Sequence, residues 1–273
     1  MTIPICISGI TGKMGKTIVG LAHKEKYFKV VSALESPSHP CLGKSFNEIF
    51  PEIPVSCILT GNPSEALQGV KVLIDFTSPV ATLQYINTAI EFKTAMVIGT
   101  TGFSEHEKSI IQEAALKIPI VFSPNMSLGM NVLFNLVQEA AKKLGTNYDV
   151  EIIEMHHNLK KDAPSGSAIR LGELIAKVWN KNLSQILVNN RNGSNVVREK
   201  GTLALHAVRA GDIIGDHTVL LASNGERIEL THRAQSRDSF GHGALRAAKF
   251  VSEKKSGLYD MNDVLNSDVN STL

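Results

Sequence analysis

Apolar positions fall into two rhythms along this chain, short continuous runs and stretches spaced by three or four. Ile3 to Ser8, Phe28 to Leu34, Val70 to Phe76, Ala95 to Ile98 and Ile118 to Phe122 are runs too short for helices and too apolar for a half-exposed sheet. Such runs predict strands buried on both faces. Helical spacing follows the first run through Ile18, Val19, Leu21 and Ala22, and returns over Val80 to Phe92 and Glu105 to Lys117. Strands alternating with helices across short links predict a parallel, doubly wound sheet.

The second half keeps a different pattern. A long amphipathic helix is expected over Met126 to Leu144, with Leu133, Leu136, Val137, Ala140 and Leu144 as its apolar stripe. Asp149 to Met155 alternates polar and apolar residues as a half-buried strand does, and Ala168 to Trp179 reads as a helix. Thr202 to Arg209, Ile213 to Ala222 and Arg227 to Ala234 read as strands joined by A-G-D and S-N-G-E turns. That sheet is expected to be open, with apolar residues on both faces and its outer face covered by a partner subunit. Helix resumes over Ser239 to Lys254, G-L-Y-D-M-N-D-V-L ends the folded part, and the final N-S-D-V-N-S-T-L reads as frayed. The expected division is a dinucleotide-binding domain over 1–126, to which 240–273 returns, and a substrate-binding and oligomerisation domain over 127–239.

Length and charge narrow the classes. The 273 residues suit two domains better than one core. A net charge of +2, without a basic block or interleaved aromatics, gives no reason to expect nucleic acid. No apolar run is long enough to span a membrane, and the N-terminus lacks signal-peptide features. Three cysteines without a C-x-x-C suit a reducing compartment, and the cytoplasm is the expected location.

Chemistry concentrates at two places. G-I-T-G-K-M-G, from Gly9 to Gly15, stands between the first strand and a helix, where glycines and a helix N-terminus accept a pyrophosphate. Its spacing departs from G-x-G-x-x-G, and an ordinary tight turn is the competing reading. Glu35 closes the second strand, where an acid is placed to bind adenine ribose hydroxyls. Later strands end in D-F-T-S-P, G-T-T-G and S-P-N-M, which brings Gly99, Thr100, Thr101 and Ser123 to Met126 to the ligand edge of the sheet. Lys13 and Lys16 are not in a G-K-S/T context, so nucleotide hydrolysis is disfavoured.

The other concentration is E-M-H-H-N-L-K-K-D-A-P-S-G-S-A, from Glu154 to Ala168. Adjacent histidines on a strand point to opposite faces, and no third ligand stands at suitable spacing, so no metal is expected. Lys160 and Lys161 supply charge, His156 and His157 supply imidazoles, the side chain whose ordinary titration range spans neutrality, and Ser165 to Ser167 open a helix. Together they suit a carboxylate-bearing substrate and proton delivery during hydride transfer.

These motifs, with V-I-G-T-T-G-F, V-R-A-G-D-I-I-G-D-H and G-L-Y-D-M-N-D-V-L in order over nearly the whole chain, resemble the dihydrodipicolinate (4-hydroxy-tetrahydrodipicolinate) reductase family. The resemblance implies a Rossmann-type domain with a second α+β domain carrying an open mixed sheet, assembled as a homotetramer. It implies reduction of a small cyclic dicarboxylate by NADH or NADPH in lysine and diaminopimelate biosynthesis. It implies His156 as catalytic acid/base and Lys160 as proton donor, with His157, Gly166 and Ser167 on substrate carboxylate. On the cofactor side it implies Gly9, Ile10, Thr11, Gly12, Lys13, Met14, Glu35, Gly99, Thr100, Thr101, Ser123, Pro124, Asn125 and Met126. Ser167 replaces the family's usual threonine, and Ser36 stands where many relatives have a basic residue facing the 2'-phosphate of NADPH. NADH is therefore expected to serve at least as well as NADPH, with Lys13 the residue that could still reach that phosphate. A dehydrogenase of another amino dicarboxylate and a dinucleotide sensor without turnover are the competing readings.

Overall fold

The computed structural model describes residues 2–188 and 191–267. The chain divides into two compact units, residues 1–128 with 237–273, and residues 129–236. The first unit is entered by β1 (Ile3–Ser8), α1 (Lys13–Lys24) and β2 (Phe28–Leu34), then α2 (Phe46–Ile49), β3 (Leu59–Thr60) and α3 (Pro63–Ala66). It continues through β4 (Val72–Asp75), α4 (Pro79–Phe92), β5 (Ala95–Ile98), α5 (Glu105–Ala115) and β6 (Pro119–Phe122). α6 (Leu128–Leu144) leads into the second unit, with β7 (Asp149–His156), α7 (Gly166–Val178), α8 (Leu183–Ile186), β8 (Leu187–Val188), β9 (Leu203–Arg209), β10 (Gly215–Ser223) and β11 (Glu226–Ala234). The chain then returns as α9 (Asp238–Ser252), β12 (Gly257–Tyr259) and α10 (Met261–Ser267). The expected frayed tail begins inside α10, and its residues 268–273 lie outside the described residues.

In the first unit seven strands run in the order β12-β6-β5-β4-β1-β2-β3, every pairing parallel. Ile5, Cys6, Val72, Leu73, Ile74, Met96, Val97, Ile98, Ile120 and Val121 are all fully buried, so both faces are covered. Each isoleucine or leucine so buried contributes roughly 1.5–3 kcal/mol relative to exposure. The chain runs outward from β1 to β3 and then crosses back to β4 on the other side of β1. That reversal opens a crevice beyond the carboxyl ends of β1 and β4. α9 packs against α1 at Gly241, where a Cβ would come within 2.6 Å of Leu21 Cδ1. Gly243 sits tighter still, since a Cβ there would overlap the Met126 carbonyl at 1.7 Å.

The second unit holds a mixed sheet in the order β11-β10-β7-β9-β8. β10 pairs antiparallel with β7 and β11, whereas β7 and β9 are parallel and joined through α7. Val150, Ile152, Val219, Leu221 and Leu203 pack one face against Leu133, Phe134 and Val137 of α6 and Leu171, Leu174 and Ile175 of α7. The α6 stripe is rotated from the expected one, because Leu136 is 51% exposed while Phe134 and Ala141 turn inward. Register places Glu151, Ile153, Met155, Leu220, His206 and Thr218 on the other face, which is thus more polar than the strand patterns predict. Glu151 there accepts Arg191 and Arg198 guanidinium bonds at 2.7 Å each and contacts His206 Nε2 at 2.6 Å.

Candidate active site

At the ligand edge of the first unit, Gly9 turns with φ +59°, a conformation open to glycine at little cost. Gly12 caps α1 without any side-chain hydrogen bond, and a Cβ on Gly15 would stand 2.3 Å from the Gly9 carbonyl oxygen. The turn is therefore a close backbone cradle at the positive end of a helix, the arrangement that suits a pyrophosphate. Among the described residues, no group of acidic, histidine and cysteine side chains is arranged to hold a metal ion.

Glu35 is buried against this turn. Its Oε1 accepts from the Thr11 amide and the Thr11 hydroxyl, both at 2.7 Å, and its Oε2 from the Ser36 amide at 3.3 Å. His39 joins the group, with its Nδ1 accepting from the Cys41 amide at 3.2 Å. That leaves Nε2–H to donate to the Thr11 hydroxyl at 3.2 Å, which passes its own proton toward Glu35.

Behind the loops sits Asp75, fully buried at the end of β4. It accepts from the hydroxyls of Ser8 at 2.5 Å, Thr77 at 2.7 Å and Thr100 at 3.2 Å, and from that of Thr82. Thr100 also accepts from the Thr77 amide at 2.9 Å. One carboxylate thus ties the end of β1 to D-F-T-S-P and G-T-T-G. A Cβ on Gly99 would collide with the Phe76 ring at 2.2 Å, which fixes that turn. Ser123 hydrogen-bonds back to Ile98 and to the Asn125 carbonyl, closing S-P-N-M beside β5.

Gly9, Thr11, Gly12, Glu35, Gly99, Thr100 and Ser123 accordingly gather around the carboxyl ends of neighbouring strands. Lys13, Pro124 and Thr101 lie exposed around them. Ile10 and Met126 are core residues, 0% and 1% exposed, so only their backbones remain for a ligand.

The second cluster lies wholly within the second unit. Alternation along β7 puts Glu154 and His156 on the same face, toward the interior. His156 Nδ1 lies 2.5 Å from Glu154 Oε2, and Arg209 from β9 grips both oxygens of that carboxylate at 2.8 Å each. Glu154 Oε1 also accepts from the Ser165 amide at 2.9 Å, at the start of α7. Ser165 caps α7 by accepting from the Ala168 amide at 3.3 Å, and its hydroxyl meets His217 Nε2 at 3.2 Å. The rings of His156 and His217 are 5.2 Å apart and edge-on. Gly215 leaves room beside His156, since a Cβ would stand 3.0 Å from Nε2.

The electrostatics follow from burial and pairing. Burial works against the charge on Glu154, yet the Arg209 guanidinium and His156 hold its carboxyl below the ordinary range. Burial lowers His156, and the Glu154 carboxylate opposes that shift. His217 is pushed down to about 3 by burial, reinforced by the nearby His156. Lys160 Nζ donates to Asp162 at 2.8 Å, and its backbone amide to the His157 carbonyl at 3.1 Å. β7 ends at His156, so His157 begins the loop, while Lys161 is exposed. Gly166 is the first residue of α7, and a Cβ on it would meet nothing within 4 Å. The structure thus joins His156 to the start of α7 through Glu154, and Lys160 to the same group through Asp162 and Arg209, whose Nη2 donates to the Asp162 carbonyl at 2.6 Å.

Glu154, Arg209, His217 and Asp75 were not singled out from sequence. The available signals were the i, i+2 spacing of Glu154 and His156 on an alternating strand and the motif V-R-A-G-D-I-I-G-D-H, which holds Arg209 and His217 without showing that they meet partners 55 and 52 residues away.

Comparison with known proteins places these features together. The family model described as dihydrodipicolinate reductase, N-terminus, matches residues 3–126, and that described as dihydrodipicolinate reductase, C-terminus, matches 129–265. The chain is 48% identical over 261 residues to the 4-hydroxy-tetrahydrodipicolinate reductase of Nitrosomonas eutropha, covering 96% of this chain and 97% of the relative. The enzyme of the same name from Nitrosospira multiformis is 44% identical, covering 97% and 98%. Among solved structures, a dipicolinate-bound dihydrodipicolinate reductase from Paenisporosarcina sp. TG-14 superposes with a TM-score of 0.76 at 25% identity, covering 96% of this chain and 99% of that one. The chain therefore belongs to the dihydrodipicolinate reductase family.

Proposed function

We propose that the protein reduces 4-hydroxy-tetrahydrodipicolinate to tetrahydrodipicolinate, in lysine and diaminopimelate biosynthesis. The balance is one substrate, one NAD(P)H and one proton consumed, with one tetrahydrodipicolinate, one NAD(P)+ and one water formed. The observation that carries the reading is a buried, ionised Glu154 linked to His156 and to the capped start of α7, in a chain whose relatives bear that enzyme's name.

The nicotinamide supplies a hydride. The glycine cradle and Glu35 fit the dinucleotide's pyrophosphate and ribose, with Gly99 to Thr101 and Ser123 to Met126 along the same edge. In the second unit His156 serves as acid/base and Lys160 as proton donor, while His157, Gly166 and Ser167 hold a substrate carboxylate. The amide-rich start of α7 favours such an anion. The dicarboxylate class agrees with the dipicolinate bound by the structural relative.

For the reductant, Glu35 presents negative charge at the ribose end, and Ser36 adds none of the opposite sign. A 2'-phosphate would gain little there, so NADH is used at least as well as NADPH. The outer face of the second unit's sheet is the surface through which a homotetramer would pair. Ile153, Met155 and Leu220 supply its apolar part.

Parallel assays with freshly condensed substrate and either NADH or NADPH test the reading. Consumption of both, with NADH at least equal, is expected; consumption of neither overturns it. His156→Gln should lower kcat by about two to four orders of magnitude while the dissociation constant for NADH stays within twofold. Light scattering at four chain masses supports the assembly, and a monomer overturns it.

A further inference from the structure

We propose that Glu154 is the positioning residue of this site, holding the His156 ring with Nδ1–H toward its carboxylate so that Nε2 is the nitrogen that exchanges the proton. This rests on the assignment of His156 as the acid/base. The carboxylate is fully buried, and its oxygens are committed to one partner on its own strand and two on other segments: Nδ1 of His156 at 2.5 Å, both terminal nitrogens of Arg209 at 2.8 Å, and the Ser165 amide at 2.9 Å. A bidentate guanidinium is the partner that keeps a buried carboxylate charged. A charged carboxylate only accepts, so the nitrogen facing it must carry a hydrogen, and the neutral ring must be bare at Nε2.

The same side chain has a second consequence. Oε2 faces the histidine and Oε1 faces the first turn of α7, so the separation between the proton-exchanging ring and the amides of Gly166 and Ser167 is set across one carboxylate. Arg209 extends the frame to the loop that carries Lys160, through the Asp162 carbonyl. When the ring gains a proton at Nε2, the positive charge lies against an anion already in place, with no reorganisation needed.

The charged and titratable groups acting on His156 are Glu154 from its own strand, Arg209 from β9, His217 from β10, and Lys160, itself paired with Asp162, from the loop. In Glu154→Gln the anion is lost and Arg209 and Lys160 remain, so the imidazolium is disfavoured. The glutamine oxygen is best placed on Ser165, which turns its amide toward Nδ1 and moves the ring hydrogen to Nε2.

Nitrogen NMR of the full chain with 15N-labelled histidine reads the tautomer directly, with the His156 signal identified by its loss in His156→Gln. The expected wild-type spectrum has a protonated Nδ1 and a bare Nε2 in the neutral ring; the reverse overturns the proposal, and this measurement needs no variant beyond the assignment control. In Glu154→Gln the bare nitrogen should change to Nδ1, kcat should fall by roughly 10- to 100-fold, and the pH at which kcat declines should move down by about one unit. The dissociation constant for NADH should hold. Lower thermal stability with an unchanged tautomer and pH profile would mark Glu154 as structural only and overturn the proposal. Failure of the reductase reading is seen separately, as absence of turnover in the wild-type chain or full kcat in His156→Gln.

Discussion

The two units build their candidate sites from opposite materials. In the first, the chemistry is offered by backbone amides in a turn that must stay bare of side chains, with Asp75 and its hydroxyls holding the loops from behind. In the second, the chemistry is offered by side chains whose charges are buried and paired, Glu154 with Arg209 and His156. The difference teaches where each is vulnerable. A site of amides fails when atoms are added, and a site of buried charges fails when charge is altered at constant shape.

After the loss expected of His156→Gln, the largest effect separates the two lysines of the second unit. Lys160→Ala removes the amine tied to Asp162 and should cut kcat on the order of 100-fold, whereas Lys161→Ala, at an exposed position, should stay near wild type. Steady-state kinetics that rank the two equally would dissolve the distinction. In the first unit Gly15→Ala adds one methyl 2.3 Å from the Gly9 oxygen. It should weaken NADH binding by about 10- to 100-fold, as overpacking costs roughly 1–3 kcal/mol. Unchanged binding in a fluorescence titration would mean that the turn is not a cradle.

Acid should act selectively on the second unit through His217. Its folded pKa of about 3 lies below its ordinary value of 6.5, so the unfolded chain binds the proton first. The contribution is complete above pH 6.5 and is lost as pH falls toward 3, amounting to roughly 2 kcal/mol already at pH 5. Denaturant melts at pH 7.5 and pH 5 should show that loss, and His217→Gln should shrink the pH difference. An equal difference in the variant would assign the acid sensitivity elsewhere. The smallest effect is expected of Ser36→Arg, a charge placed beside Glu35 at the ribose end. The ratio of kcat/KM for NADPH over NADH should rise about tenfold, near the 1.4 kcal/mol of one well-placed ion contact; a constant ratio would remove Ser36 from the account of cofactor choice.

Much of this architecture could be read from spacing. Buried parallel strands announce themselves as apolar runs, and β1, β2, β4, β5 and β6 lie within the runs that predict them. β3, β8 and β12 have two or three residues each, too few for any period to develop. The rotated stripe of α6 has a physical cause as well. Its inward positions are chosen by what β7, β9 and β10 present, so Phe134 and Ala141 replace Leu136.

The histidine loop was legible as a concentration of chemistry, yet the frame around it was not. Ion pairs such as Glu154 with Arg209 join residues 55 apart, and nothing in either neighbourhood names the other. His39 behind Thr11 was hidden for the same reason. Strand composition predicts apolar residues on the outer face of the second sheet, and Ile153, Met155 and Leu220 stand there, yet it gives no sign of the three basic side chains that converge on Glu151 beside them.

The return of the chain from Ser236 to Arg237 has a consequence for the order of assembly on the ribosome. β12 pairs with β6, and α9 lays its glycines against Met126 and Leu21, so the first sheet lacks an edge strand and a covering helix until residues 238–259 have been made. The second unit has every strand by Ala234. The first unit is therefore begun before the second and completed after it, and the newborn chain carries uncovered apolar surface on residues 1–128 while residues 129–236 are already able to close.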